Sequence, residues 1–240
     1  MSRPKAKTKV VLASKSPARL TTLKNAGITP LVRISDVDED AVIDALRSDA
    51  SPAQIVCALA EAIALQVAHS LADEQQGLPD PSQGRYLVVG SDSMLEIGGR
   101  MVGKPLTPQV AVERIREMRG RDATLWTGHC LIQVSRCPSS QKGVGAQKAN
   151  STKWCCSRPQ TEPAATTVHF GQISDTEIDA YVGTGEPLQV AGSFTIDGLG
   201  GPFIDGVTGD PHAVVGLSLP VMRRLVNRFG IEWPELWTDK

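Results

Sequence analysis

The chain has 240 residues, 41% hydrophobic and 21% charged, a composition that suits a soluble globular protein with a sizeable core. Its formal net charge of −1 gives no general basic field, which argues against nucleic acid or anionic membrane as partners; an anion recognised here must be small and held by a local cluster. The polar, basic N-terminus lacks the apolar core of a signal peptide. No apolar run approaches the ~20 residues needed to span a bilayer, so the expected location is the cytoplasm.

The first unit is an apolar strand at Val10–Leu12 that runs through Ala13-Ser14-Lys15-Ser16 into a helix. Ser16 is a good N-cap, Pro17 fits the first helical position, and Leu20, Leu23 and Ala26 recur at helical spacing before Gly27. Leu31–Ile34 reads as a short strand ending in the acidic run 36–40, a solvated loop that could hold a cation. Ser51-Pro52-Ala53-Gln54 is a capping box opening a helix to about His69, with Ile55, Leu59, Ala62, Ile63 and Val67 on one face. Residues 73–85 form a polar loop. Tyr86–Gly90 has the continuous apolar character of a doubly buried strand, which places Ser91-Asp92-Ser93 at its carboxyl end, where α/β sheets bind ligands.

A hairpin is expected about Gly98-Gly99, followed by Gly103-Lys104-Pro105. The next helix is capped by Thr107-Pro108, with Val110, Ile115 and Met118 inward, and Thr124–Val134 is a strand broken near Gly128. Residues 135–165 have no periodicity and read as a flexible insertion, a long hairpin tip closed by a strand at 166–171. Ser174-Asp175-Thr176-Glu177 is a second capping box, and Ser218 caps a last amphipathic helix carrying Leu219, Met222, Leu225, Val226 and Phe229. The alternation predicts a single α/β domain over 1–240 with a mixed sheet.

Cys57, Cys130, Cys137, Cys155 and Cys156 are odd in number and match no disulfide framework, so reduced thiols are expected. His69, His129, His169 and His212 are too scattered for a metal ligand set, and neither a G-x-S-x-G elbow nor a Walker motif is present. Three features could converge on a phosphate ligand, although each taken alone is also met as an ordinary cap or turn. Ser14, Ser16 and Arg19 form an anion-binding turn at a helix start, Lys104 adds a cation, and Asp92 with Glu39 supplies carboxylates for Mg²⁺ or Mn²⁺ or for a proton from water.

These stretches resemble the Maf family. The carriers are residues 12–19 (LASKSPAR), 88–93 (VVGSDS), Gly103-Lys104-Pro105, Gly185-Glu186-Pro187, Ala191-Gly192-Ser193-Phe194 and 214–220 (VVGLSLP), in the family's order and rough spacing. The resemblance implies an inosine-triphosphatase-like (Ham1-like) mixed-sheet fold with two lobes around a central cleft. It also implies a divalent-metal-dependent, often dimeric, cytoplasmic enzyme that hydrolyses a nucleoside triphosphate to the monophosphate and pyrophosphate. Carried onto this chain, it makes Asp92 the proton acceptor and Glu39 a metal-associated carboxylate. Ser14, Ser16, Arg19 and Lys104 become substrate contacts. Base choice would fall on Ala18, Ser93 and Asp197, which match neither the thymidine/uridine pattern nor the modified-guanosine pattern. Ile63 and Val190 stand where many members carry lysines. Their absence motivates an alternative expectation, a nucleotide-binding cell-division regulator with weakened or lost catalysis.

Overall fold

The computed structural model describes residues 8–73, 84–137 and 154–238. Strand β1 (Thr8–Leu12) leads through the serine turn into helix α1 (Pro17–Asn25), then β2 (Leu31–Val32), α2 (Glu39–Asp44) and the long helix α3 (Pro52–Asp73). The central ribbon follows: β3 (Arg85–Ile97), β4 (Arg100–Val102), α4 (Pro108–Met118), β5 (Asp122–Arg136), β6 (Trp154–Cys156) and β7 (Gln160–Phe170). Helix α5 (Asp175–Gly183), β8 (Ile204–Thr208), α6 (Pro211–Val215) and α7 (Leu219–Arg228) complete the fold.

The strands form one mixed sheet in the order β2-β1-β3-β5-β7-β8, with β4 on β3 and β6 on β5. Only β1 pairs in parallel, with β2 and β3; the remaining pairs are antiparallel. Alternation along each strand divides the core. Leu12, Leu87, Val89 and Leu131 meet Leu217, Val221, Met222 and Leu225 on one face, while Val11, Val88, Cys130 and Ile132 meet Ala60, Ile63, Ala64 and Val67 of α3 on the other. A further cluster, with Leu95, Ile97, Ile115, Phe170 and Ile178, surrounds the far ends of β3 and β5.

Local hydrogen bonds set several helix starts where the residue types demand them. Ser16, Thr107 and Ser218 each accept a backbone N–H of the first helical turn, and Ser174 with Glu177 forms a reciprocal capping box. Gly98 and Gly99 both take positive φ (56° and 74°) at the β3–β4 hairpin, the conformation that a two-residue turn requires.

The structure departs from the sequence expectations at definable points. Asp92 does not end a strand: β3 runs on to Ile97 because β5 continues to pair with it as far as Glu96↔Thr124. What ends is β1, at Leu12↔Val89. β5 is likewise unbroken at Gly128, and that glycine answers a packing demand instead: a Cβ there would lie 1.9 Å from the Val56 carbonyl oxygen of α3. Gly90 plays the same part, its Cβ position falling 2.2 Å from Ala60 O. The acidic run is not wholly loop, since Asp38 caps α2 and Glu39 opens it. In α4, Ala111 rather than Val110 faces inward.

Residues 154–156 and 160–165, expected within an insertion, stand in β6 and β7; the expectation for 138–153, like that for loop residues 74–83, lies outside the described residues. The expectation of reduced thiols fails for Cys137 and Cys155, which form a disulfide with a Cα–Cα separation of 5.2 Å. The Ser135↔Cys155 register of β5 and β6 brings them together, a pairing that spacing alone does not reveal. Helix α3, with 22 residues and an 18-residue stretch of mean hydropathy 1.7, is long and apolar enough to cross a membrane by length and composition, contrary to the expectation that no run approaches that length. Here it lies along the sheet with Val56, Leu59, Ala60, Ile63, Ala64, Val67, Ala68 and Leu71 buried.

Candidate functional site

The site forms where β1 stops and β3 continues. Beyond Val89 the two faces of β3 carry different chemistry: Ser91 and Ser93 face α6 and α7, whereas Asp92 lies on the face covered by α3. Asp92 is 9% exposed. Burial pushes its carboxyl pKa up, and Glu39 adds to that. Arg19, Lys104 and the Ser93 backbone N–H oppose it by favouring the charged form. Asp92, Glu39, Arg19 and Lys104, scattered over the sequence, therefore lie within one electrostatic neighbourhood.

Arg19 is the best-fixed member. Its Nε donates to Gly216 O (2.9 Å), Nη1 to Ser14 Oγ (3.2 Å) and Nη2 to Ser93 Oγ (3.3 Å). The remaining guanidinium donors have no protein partner among the described residues, which leaves them for an anion. Burial pushes the Arg19 pKa down while Asp92 and Glu39 hold it up.

In the same turn, Ser14 Oγ accepts from Ser16 N (3.2 Å) and Ser16 Oγ accepts from Arg19 N (3.4 Å). Both hydroxyls thus serve the loop as acceptors and retain an O–H to donate. At the start of α1, Pro17 has no N–H and the Arg19 and Leu20 amides donate to Ser16, which leaves the Ala18 N–H as the uncommitted amide of the first turn among the described residues.

Glu39 is exposed at the start of α2. Its loop is tied to α3 by Gln66, whose Oε1 accepts from Ser35 Oγ (2.5 Å) and from the Asp36 N–H (2.8 Å). Lys104 is exposed on the arch between β4 and α4. Ala18 lies in the first turn of α1, and Ser93 joins Arg19 to Thr127, so both adjoin the cluster. Asp197 is exposed on the turn around Glu186, which accepts from the Thr195 hydroxyl, the Leu199 N–H (3.2 Å) and the Gly200 N–H (3.2 Å); among the described residues no hydrogen bond or ion pair joins Asp197 to the cluster.

Ile63 is core-facing, 7% exposed among Val88 and Ile132, and Val190 is extended between two short 3-10 turns. Arg100 pairs with Glu117 (2.8 Å) and Arg119 with Asp175, so neither guanidinium takes the place of the missing lysines.

The sequence reading missed the polar support behind Arg19. Gly216 O also accepts from Ser91 Oγ (3.0 Å). Thr127 Oγ1 donates to Ala213 O (2.9 Å) and lies 2.9 Å from Ser93 Oγ. His129, one of four histidines too scattered for a metal ligand set, is fully buried; its Nε2 accepts the Ser218 N–H (2.8 Å) and its Nδ1 faces Glu162 O at 3.3 Å. That pairing fixes the Nδ1–H tautomer, and burial pulls the imidazole pKa down to about 4. The only local signal was position, since Thr127 and His129 alternate on the strand facing Ser93 and Ser91.

Two carboxylates in mutual electrostatic contact, one of them buried, suit a divalent cation that completes its shell with substrate oxygens and water; among the described residues no group of three or more His, Cys, Asp or Glu forms a dedicated cage.

Residues 9–229 match the family described as Maf-like protein. A protein of Mycobacterium sp. (strain JLS) named nucleoside triphosphate pyrophosphatase is 47% identical over 231 residues, covering 96% of this chain and 99% of its own length. Proteins of the same name from Nocardia farcinica (strain IFM 10152) and Rhodococcus erythropolis (strain PR4 / NBRC 100887) are 48% and 44% identical, over 95% and 96% of this chain and 96% and 97% of theirs. With its matched stretch running almost end to end, the chain belongs to the Maf-like protein family.

Proposed function

We propose that this protein is a nucleoside triphosphate pyrophosphatase, an enzyme that cleaves the α–β phosphoanhydride with water and releases a nucleoside monophosphate and pyrophosphate. The observation that carries the reading is the buried Asp92 carboxylate within electrostatic reach of Arg19, Lys104 and Glu39. The names of the relatives support it.

In this reading Ser14 and Ser16 donate their hydroxyl protons to phosphate oxygens, as does the Ala18 N–H at the start of α1. Arg19 contributes its uncommitted guanidinium donors, and Lys104 neutralises the far phosphates. Asp92 accepts the proton of the attacking water, and its raised pKa makes it a stronger base than an exposed aspartate. Asp92 and Glu39 would hold Mg²⁺ or Mn²⁺, which when bound neutralises charge on the phosphate oxygens. Ala18, Ser93 and Asp197 set base choice. The fold is taken as inosine-triphosphatase-like, a single domain whose lobes part at the site; the separate hydrophobic cluster at the far ends of β3 and β5 supports that division. A homodimeric state and a cytoplasmic location complete the reading.

One observation favours a second reading. Buried Ile63 and extended Val190 supply no cation where lysines are common in the resemblance, as a nucleotide-binding regulator with decayed catalysis would show. A panel of canonical and modified nucleoside triphosphates, assayed for pyrophosphate release with Mg²⁺ or Mn²⁺, separates the two. Turnover that disappears on chelation and in Asp92→Asn supports the enzyme. Calorimetric binding without turnover on the whole panel supports the regulator.

A further inference from the structure

Lys104 feels Asp92 from an exposed arch that leaves β4 at Val102 and enters α4 at Pro108. A loop of this length would present its lysine in many directions unless its backbone were fixed. It is fixed on both sides of Lys104. Before it, the Gly103 carbonyl accepts from Arg114 Nη1 at 2.6 Å and from the Gly192 N–H at 3.3 Å. After it, the Leu106 N–H donates to Leu188 O (3.1 Å) and the Thr107 N–H to Pro105 O (2.7 Å). The arch is thereby lashed to the 188–192 segment. The non-glycine residues with positive φ among those described are Leu106 (62°), in the arch, and Ser193 (63°), the residue after the 188–192 segment. Such conformations persist only where surrounding contacts over-determine them.

Arg114 is the charged member of these lashings, and the hydrogen bond of a guanidinium to a carbonyl is the stronger kind. It is half-buried on α4, and among the described residues it forms no ion pair within contact distance; the neighbouring Glu117 is taken by Arg100. Its hydrogen bond goes to the carbonyl immediately before Lys104.

We propose that Arg114 is a positioning residue for the pyrophosphatase reaction, holding the Gly103 carbonyl so that Lys104 is aimed at the phosphates beside Asp92. This rests on reading Lys104 as a phosphate contact, and the test separates the two. Wild type, Lys104→Ala, Arg114→Met, Arg114→Lys and the Lys104→Ala/Arg114→Met double variant of the full chain are compared. The readouts are KM and kcat for pyrophosphate release, and the calorimetric Kd of a non-hydrolysable nucleoside triphosphate.

Loss of a charged phosphate contact in Lys104→Ala raises KM and Kd about tenfold. Arg114→Met raises them roughly threefold to tenfold with kcat within about twofold, and the double variant is no worse than Lys104→Ala, because in that background Arg114 has nothing left to aim. Arg114→Lys recovers part of the loss. A purely structural role for Arg114 would lower thermal stability but multiply with Lys104→Ala, and that result overturns the proposal, as does an unchanged KM in Arg114→Met. Should Arg114→Met fail to fold, Arg114→Gln takes its place, and unchanged KM and Kd in that variant overturn the proposal equally. Unchanged KM and Kd in Lys104→Ala overturn the phosphate reading of Lys104 itself.

Discussion

The two faces of the β3–β5 ribbon hold the site by opposite means. Toward α6 and α7 the contacts are polar and directional: Ser91, Ser93, Thr127 and His129 meet Arg19, the Ala213 and Gly216 carbonyls and the Ser218 amide. Toward α3 the contacts are dry, with Gly90 and Gly128 admitting the helix backbone so closely that no Cβ would fit. Hydrogen bonds fix direction and so suit the orienting of Arg19. Close packing fixes distance and so suits the seating of a carboxylate in a site that water barely enters. Asp92 sits at the end of the dry face, where its charge depends on Arg19 and Lys104 rather than on solvent.

The largest effect should come from the carboxylate itself. Asp92→Asn is expected to lower kcat/KM by about 10²- to 10⁴-fold while circular dichroism and melting remain native, the range for loss of a positioned base. On the dry face, Gly128→Ala forces a methyl group onto the Val56 carbonyl and should destabilise the protein by roughly 3 kcal/mol or more. The control is Gly206→Ala, whose nearest neighbour would be His169 at 3.9 Å; its change should stay within about 0.5 kcal/mol. Equal melting shifts in the two would refute the packing argument.

The polar face is tested by pH. His129 is held at about 4 in the folded protein against an ordinary 6.5, so protonation favours the unfolded chain. Stability should therefore be full above pH 6.5, decline as pH falls toward 4 and lose roughly 3 kcal/mol from this group at the limit. His129→Gln should flatten that slope in denaturant titrations. Smallest is Thr127→Val, which leaves the Ala213 carbonyl without its hydroxyl donor and should lower stability by about 1–2 kcal/mol. If Thr127→Val proves as damaging as Gly128→Ala, the division between the faces is wrong.

What the sequence made legible follows the same division. Features whose cause lies within a few residues could be read directly: the caps at Ser16, Thr107, Ser174 and Ser218, the Gly98-Gly99 hairpin and the serine turn. Asp92, Glu39, Arg19 and Lys104 could be singled out from residue type and from the Maf resemblance, and the structure brings them into one electrostatic neighbourhood. What stayed hidden was set by partners far along the chain. The length of β3 depends on β5, and His129 finds the Ser218 amide 89 residues away. The Cys137–Cys155 bridge depends on the register of β6. Gly128 illustrates the difficulty best. As a letter in a strand it signals a break, but as a surface against α3 it is what keeps the strand whole.

The seat of α3 on Gly128 has a mechanical consequence. Gly128 is the register partner of Asp92, and the same helix grips, through Gln66, the loop that leads to Glu39. The helix thus works like a gauge block: one point rests on the strand opposite the first carboxylate, and another sets the height of the second. The gap between the two carboxylates is thereby tied to the seat of a single helix. A thickness of one methyl group added at the seat would reset that gap without touching either acid.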